Sequence, residues 1–317
     1  LQMLYILSIT VPIYLLIALG YLAGRQGWFT KPEMRVLGRF VIQLALPSLV
    51  FQALAQRKFT EILNADYLLA YALGSLLVMG AAWFHARRVK GRSPAFSALY
   101  GMGASFSNSG FVGYPIVLQL LGPVAAVPLA LCMLVENVLL LPLTLVLADQ
   151  SSGSRAWHST LRQTLLRLIR NPLIIAIAAG LAVSLLGLSL PAPVAKAVGL
   201  MASASSAVAL FVIGGSLVGL QLQGRLRDVG AIAFSKLVLH PLVVLGLLLL
   251  LPIDAALRTA ALAFAAMPML SIYPILAQPY GEESLCAAAL LLTTLLSFVT
   301  ISVWLWLAAH PMGWVVS

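Results

Sequence analysis

The sequence predicts an all-α polytopic membrane protein: ten transmembrane helices arranged as two inverted repeats of five. Three observations predict it. Of 317 residues, 62% are hydrophobic and only 9% are charged, with a mean hydropathy of +1.03. A phrase recurs half a chain apart: Tyr114-Pro115-Ile116 with Gln119 and Gly122, then Tyr273-Pro274-Ile275 with Gln278 and Gly281, each pair 159 positions apart. The basic residues crowd into alternate connections. So apolar a composition requires a bilayer as solvent.

Runs of about 20 apolar residues suffice to span. They fall near 3–23, 37–56, 66–85, 95–121, 124–148, 171–190, 197–220, 230–251, 257–280 and 285–309. The first run begins at residue 1 with no basic stretch ahead of it, so no cleavable leader pattern is read. One set of connections holds fourteen of the 19 Lys and Arg: Arg25, Lys31, Arg35, Arg39, Arg87, Arg88, Lys90, Arg92, Arg155, Arg162, Arg167, Arg170, Arg225 and Arg227. The opposite set holds Arg57, Lys58, Lys196 and Arg258, and Lys236 falls within a span. The richer side is expected to be cytoplasmic, with both termini outside. This distribution explains the net charge of +10 without a nucleic-acid partner.

Five spans per half is odd, so the second half is expected to be inverted. Pro12, Ile17, Ala18 and Gly20 in the first span match Pro172, Ile177, Ala178 and Gly180 in the sixth, at an offset of 160. The halves are 1–148 and 171–317. The connection 149–170 carries Trp157, Leu161, Leu165 and Ile169 at helical spacing beside four arginines. It reads either as a helix on the inner leaflet or as a solvated linker.

The two Tyr-Pro phrases interrupt the fourth and ninth spans. Proline lacks an N–H and clashes with the carbonyl four residues back. It also pushes the residue before it out of the α region. The run from Ser107 to Pro115 is therefore expected to be unwound, with Pro115 opening the outgoing half-helix. In the ninth span, Pro268 and Pro274 are expected to free the carbonyls of Phe264 and Leu270. Proline-broken spans at corresponding places in two halves are the sequence mark of a secondary transporter, with its substrate site at the breaks. Two half-helix N-termini meeting there would favour an anion, each by roughly 0.3–1 kcal/mol. Candidate substrate contacts are Ser107, Asn108, Ser109, Tyr114, Pro115, Ser271, Tyr273 and Pro274. Gln43, Ser48 and Gln52 of the second span are polar and could line the cavity.

Glu136 is a carboxylate at the middle of the fifth span, beside Asn137. A charge there costs roughly 2.5–3.5 kcal/mol on insertion scales. It is a candidate for proton coupling, against the plainer reading of a protonated hydrogen-bond donor. Lys236 and His240 share a face of the eighth span before Pro241. Lys236 reads as a coupling or substrate charge, as half of an ion pair, or as a side chain snorkelling to the cytoplasmic surface. His240 reads as packing. The small residues of the seventh span, Ser203 and Ser206 among them, suit close helix packing. Cys132 and Cys286 read as small buried residues. No metalloprotease or Walker-type motif occurs, so neither an enzyme nor an ATP-driven pump is expected, and no cofactor or metal is called for.

Three of these features carry a family resemblance: the stretch Asn108-Ser109-Gly110-Phe111-Val112-Gly113-Tyr114-Pro115, the stretch from Met267-Pro268 to Tyr273-Pro274, and Lys236 ahead of Pro241. In these the chain resembles the auxin efflux carrier family, in its prokaryotic branch, over essentially its whole length. The resemblance implies a fold like that of the bile acid sodium symporters, with the fourth and ninth helices crossing where they break. It implies a scaffold of spans 1, 2, 6 and 7, often dimeric, and a transport domain of spans 3–5 and 8–10 that moves like an elevator. It implies Asn108, Pro115 and Pro274 as crossover residues. Bacterial relatives are associated with malonate or malate, and plant ones with auxin efflux. The short central connection departs from the long regulatory loop of the plant carriers. The expected function is secondary transport of a small organic anion across a bacterial inner membrane, coupled to protons or membrane potential. A sodium-coupled symporter and a non-transporting membrane sensor are the alternatives.

Overall fold

A computed structural model describes residues 2–57, 62–149, 166, 169–221 and 225–309. The proposed surface helix of 149–170 lies almost wholly outside the described residues. Every regular element among these residues is helical. Among the described residues seven helical stretches are long and apolar enough to cross a membrane, and two shorter apolar helices accompany them. The protein is therefore a multi-pass membrane protein. Its helices are α1 (Gln2–Arg25), α2 (Lys31–Ala55), α3 (Ala65–Val89), α4 (Pro94–Ser105), α5 (Tyr114–Leu121) and α6 (126–148). The second half of the chain adds α7 (Pro172–Leu185), α8 (Ala192–Ser216), α9 (Leu226–Leu250), α10 (Ala255–Ala266), α11 (Tyr273–Ala277) and α12 (Glu283–Ala309).

Proline shapes these helices in a recurrent way. A π turn lies immediately ahead of the X-Pro pair at Pro47, Pro115, Pro142 and Pro241: Val41–Ala45, Ser109–Gly113, Val135–Leu140 and Ser235–Leu239. In three of them the residue before proline bonds five positions back: Leu46 to Val41, Leu141 to Glu136 and His240 to Ser235. The wider turn takes up the missing hydrogen bond and relieves the ring clash without ending the helix. This corrects the expected unwinding of 107–115. Only 106–108 leave the helix, and the π turn at Ser109 carries the chain straight into α5.

The second break also differs from expectation. It runs from Met267 to Ile272. The carbonyls of Phe264 and Leu270 are not left free. They accept from the N–H groups of Met267 and Tyr273, at 3.2 and 3.1 Å. Three-residue bonds of this kind close a helix end or a turn where proline prevents the four-residue bond.

The chain divides into two compact units. The first comprises 1–65, 109–133 and 169–218, and the second comprises 66–108, 134–168 and 219–317. Within the first unit α1 packs on α8 and α7 packs on α2. A Cβ on Gly20 would collide with the carbonyl of Phe211, and one on Gly214 with the carbonyl of Ile17. A Cβ on Gly180 would lie 3.1 Å from the carbonyl oxygen of Phe51. Small residues let backbones approach where lipid supplies no hydrophobic drive between helices. Gly180 and Phe211 each lie 160 positions after Gly20 and Phe51, the same offset seen in the sequence.

In the second unit α3, α4, the end of α6 and α9 to α12 surround a core containing Tyr67, Tyr71, Phe96, Phe264 and Tyr273. Pro241 cannot bond the carbonyl of Leu237, and Trp304 Nε1 donates to that oxygen instead, at 2.9 Å. Asp228, 3% exposed at the start of α9, accepts from Lys90 at 2.6 Å and Arg92 at 3.3 Å. Arg92 and Arg225 each lie 5.2 Å from the Phe96 ring. A carboxylate and an aromatic ring thus organise part of the basic surface.

Gly214→Val should destabilise the detergent-solubilised protein by about 3 kcal/mol, because the helices must separate to admit the side chain. Gly80→Ala, where no atom lies within 4 Å of the added Cβ, should leave the melting temperature nearly unchanged. Melting curves followed by tryptophan fluorescence test the pair, and equal melting of the two variants would contradict the close-packing account.

Candidate functional site

The second unit contains both the first break and the second. Helix α4 begins with Pro94 behind Ser93, whose hydroxyl accepts from Phe96 N–H at 3.1 Å. It runs to Ser105, and Phe106, Ser107 and Asn108 then leave the helix. Helix α10 is capped by Asp254, which accepts from Leu257 N–H at 3.0 Å, and it stops at Ala266 ahead of Pro268. Broken backbone at membrane depth must find partners within the protein.

Asn108 supplies them for both breaks. Its N–H donates to the Pro268 carbonyl at 2.8 Å, and its Nδ2 donates to Ser271 Oγ at 3.0 Å. Asn108 itself is 4% exposed, whereas Ser271 is half-buried and Ile272 is exposed. Tyr273 anchors the far side of the second break. Its ring is fully buried and its hydroxyl donates to the Leu99 carbonyl at 2.7 Å, against the bare backbone of Gly103. Pro274 is buried at the start of α11.

Beside the breaks lies a buried polar network. Glu136 Oε1 is 3.2 Å from Ser107 N–H and 3.0 Å from the Tyr71 hydroxyl. Ser107 Oγ is 3.3 Å from the same hydroxyl and accepts from Lys236 Nζ at 3.0 Å. Lys236 also donates to the Ala265 carbonyl at 2.6 Å and lies 2.9 Å from His240 Nδ1. Nε2 of His240 is 2.9 Å from Ser75 Oγ. Tyr71, Ser75, Lys236 and His240 are wholly inaccessible, and Glu136 is 7% exposed. A buried ammonium is tolerated only with its hydrogen bonds made. Lys236 therefore does not snorkel, and His240 is a member of the network.

The structure thus brings together Ser107, Asn108, Ser271, Glu136 and Lys236, with Tyr273 and Pro274 framing the second break. Asn137 follows Glu136 in the π turn and is half-buried. The remaining candidates belong to the first unit. There Ser109 Oγ is 3.2 Å from Cys132 Sγ, Tyr114 and Pro115 are buried, and Gln43 is exposed. The Gln52 amide lies 3.4 Å from where Gly199 would carry a Cβ. Ser203 is exposed and bonds its own helix, at Leu200 O.

Sequence reasoning missed Tyr71 and Ser75. The available signal was their spacing, since Tyr67, Tyr71 and Ser75 recur every four residues and put three polar groups on one face of an apolar span. The Ala265 carbonyl has no side-chain signature. It is one of the last four carbonyls of a helix, which lack helical donors by construction.

Comparison with known proteins places the chain among membrane transport proteins. The sequence pattern of the family described as "Membrane transport protein" matches residues 5–305. The chain is 29% identical over 300 residues to a protein of Rhizobium meliloti (strain 1021) named "Putative malonate transporter", covering 94% of each chain. It is 25% identical over 305 residues to the "Uncharacterized transporter YfdV" of Escherichia coli (strain K12), covering 94% of this chain and 96% of that one. It is also 27% identical over 243 residues to the "Lysosomal cholesterol signaling protein" of Mus musculus, covering 72% of this chain and 27% of that one. A match over nearly the whole length, on a helical membrane fold, makes this chain a member of the membrane transport protein family, that of the auxin efflux carriers.

Proposed function

We propose that the protein is a secondary carrier for a small organic anion, a carboxylate such as malonate, malate or an auxin-like acid. The observation that carries the proposal is the pair of hydrogen bonds from Asn108 to Pro268 and Ser271, which ties the two helix breaks into one structure. Breaks of this kind are tolerated where they line a cavity, and transporters use them to meet substrate with main-chain groups. The half-buried Ser271 beside Asn108 offers a hydroxyl to a carboxylate. The name of the Rhizobium relative supports malonate as the first substrate to test.

The reading includes an inverted repeat, a scaffold of spans 1, 2, 6 and 7 that pairs as a homodimer, and elevator-like movement of the remainder. The equivalent contacts Gly20–Phe211 and Gly180–Phe51 support the repeat, because a duplicated pair of helices related by a two-fold axis produces reciprocal contacts at one offset. Glu136 is the proposed coupling group, with Tyr71 and Ser107 as its donors. The name of the mouse relative favours a second reading, sterol sensing, which predicts sterol binding without carboxylate uptake.

Three outcomes test this function. Purified protein in proteoliposomes should take up labelled malonate or a related dicarboxylate under an imposed pH or voltage gradient. Asn108→Ala should reduce that uptake on the order of tenfold or more, since the side-chain bond to Ser271 is lost even though the main-chain bond to Pro268 remains. Intact uptake in this variant would remove the crossover from the mechanism. Glu136→Gln should flatten the dependence of uptake on the pH gradient, and an unchanged pH dependence would exclude Glu136 as the coupling group. Membrane orientation is read separately. With single cysteines at Ser154 and Lys196, an impermeant maleimide on intact cells should label the second and spare the first.

A further inference from the structure

The strongest unassigned feature is the surroundings of Lys236. An ammonium has three N–H donors and no acceptor. Here it meets three acceptors, Ser107 Oγ at 3.0 Å, His240 Nδ1 at 2.9 Å and the Ala265 carbonyl at 2.6 Å. With Lys236 as the donor to Nδ1 of His240, the ring proton belongs on Nε2, within hydrogen-bond distance of Ser75 Oγ, and the imidazole carries no charge. The ammonium is solvated entirely by protein.

The location is more telling than the count. Ala265 is the penultimate residue of α10, and Ser107 lies two residues beyond the end of α4. Helix α10 therefore directs its C-terminal end, carrying a partial negative charge of about one half, toward this ammonium, and Ser107 brings a hydroxyl from just beyond the end of α4. In transporters with broken helices, unwound carbonyls and half-helix C-termini are the groups that hold a coupling cation. Glu136 lies one residue further on in the same network, for it bonds the Ser107 main chain while Lys236 bonds the Ser107 side chain.

We infer that the Lys236 ammonium is a tethered cation, occupying permanently the place that an alkali ion would take between the ends of α4 and α10. The protein consequently neither binds nor requires sodium. A second cation is repelled by the ammonium, and its oxygens are already engaged. Removing the ammonium leaves the oxygens of Ser107 and Ala265 as donors around a vacated volume, beside His240 Nδ1 and with the Glu136 carboxyl one hydrogen bond further on through Ser107. Such a set of hard oxygen donors suits a small monovalent cation. The consequence for coupling rests on the carrier reading above, but the binding claim does not.

The test uses sodium itself as probe and needs no organic substrate. Melting curves of the full-length protein are compared in sodium chloride and in choline chloride at equal ionic strength. Wild type should melt at the same temperature in both. Lys236→Ala and Lys236→Gln should melt lower in choline and regain roughly 3 °C or more as sodium rises, in a saturable manner. Lys236→Arg, which keeps the charge, should show no sodium response. A saturable sodium shift in wild type would overturn the inference, as would neutral variants that fold but ignore sodium. If neither neutral variant folds, the wild-type comparison still decides. Failure of carboxylate uptake with this sodium pattern intact would count against the carrier reading alone.

Discussion

Everything in this protein depends on one constraint: a main-chain N–H or carbonyl inside a bilayer must find its partner within the protein. Leaving such a group unpaired costs several kcal/mol, and the bilayer core offers no water to take its place. The chain departs from regular helix at 106–108 and again at 267–272, and each departure is repaired individually. Glu136 takes the N–H of Ser107, Pro268 takes that of Asn108, Lys236 takes the carbonyl of Ala265, and Trp304 takes that of Leu237. The residues that look functional in this molecule are also the ones that make its broken backbone tolerable.

That double duty explains the composition of the site. A carboxylate and an ammonium meet at one serine, through its main chain and its side chain, so neither charge is left in an apolar setting. Removing one partner from such a buried pair is far more damaging than replacing both, because the survivor keeps its desolvation cost. The network also connects Glu136 to the second break. Changing the charge on Glu136 alters what holds Ser107, and Ser107 adjoins Asn108, which binds the second break.

The sequence made an all-helical multi-pass membrane protein, the repeated Tyr-Pro phrase and the midspan charges legible, because apolar run length and midspan ionisable residues are local signals. The extent of the first break was not. Proline chemistry argues for nine unwound residues, yet the structure absorbs Pro115 in a π turn, a solution that no residue type announces. Nor was the Ala265 carbonyl visible, since a main-chain oxygen looks the same at every position. Tyr71 and Ser75 were within reach through their four-residue spacing, but on an apolar span such residues become meaningful only once a partner on another helix is known.

The π turns connect these failures to the site itself. Glu136 is the second residue of the turn ahead of Pro142, and Lys236 is the second residue of the turn ahead of Pro241. A π turn widens the helix by one residue and rotates the helical segment before it relative to the segment after it. A side chain there is aimed differently from its neighbours on a regular helix. Both midspan charges thus sit at places where proline has already reset the helix. The proline need not touch the site to define it. It fixes the local register that lets an acidic and a basic side chain from separate helices arrive at the same serine.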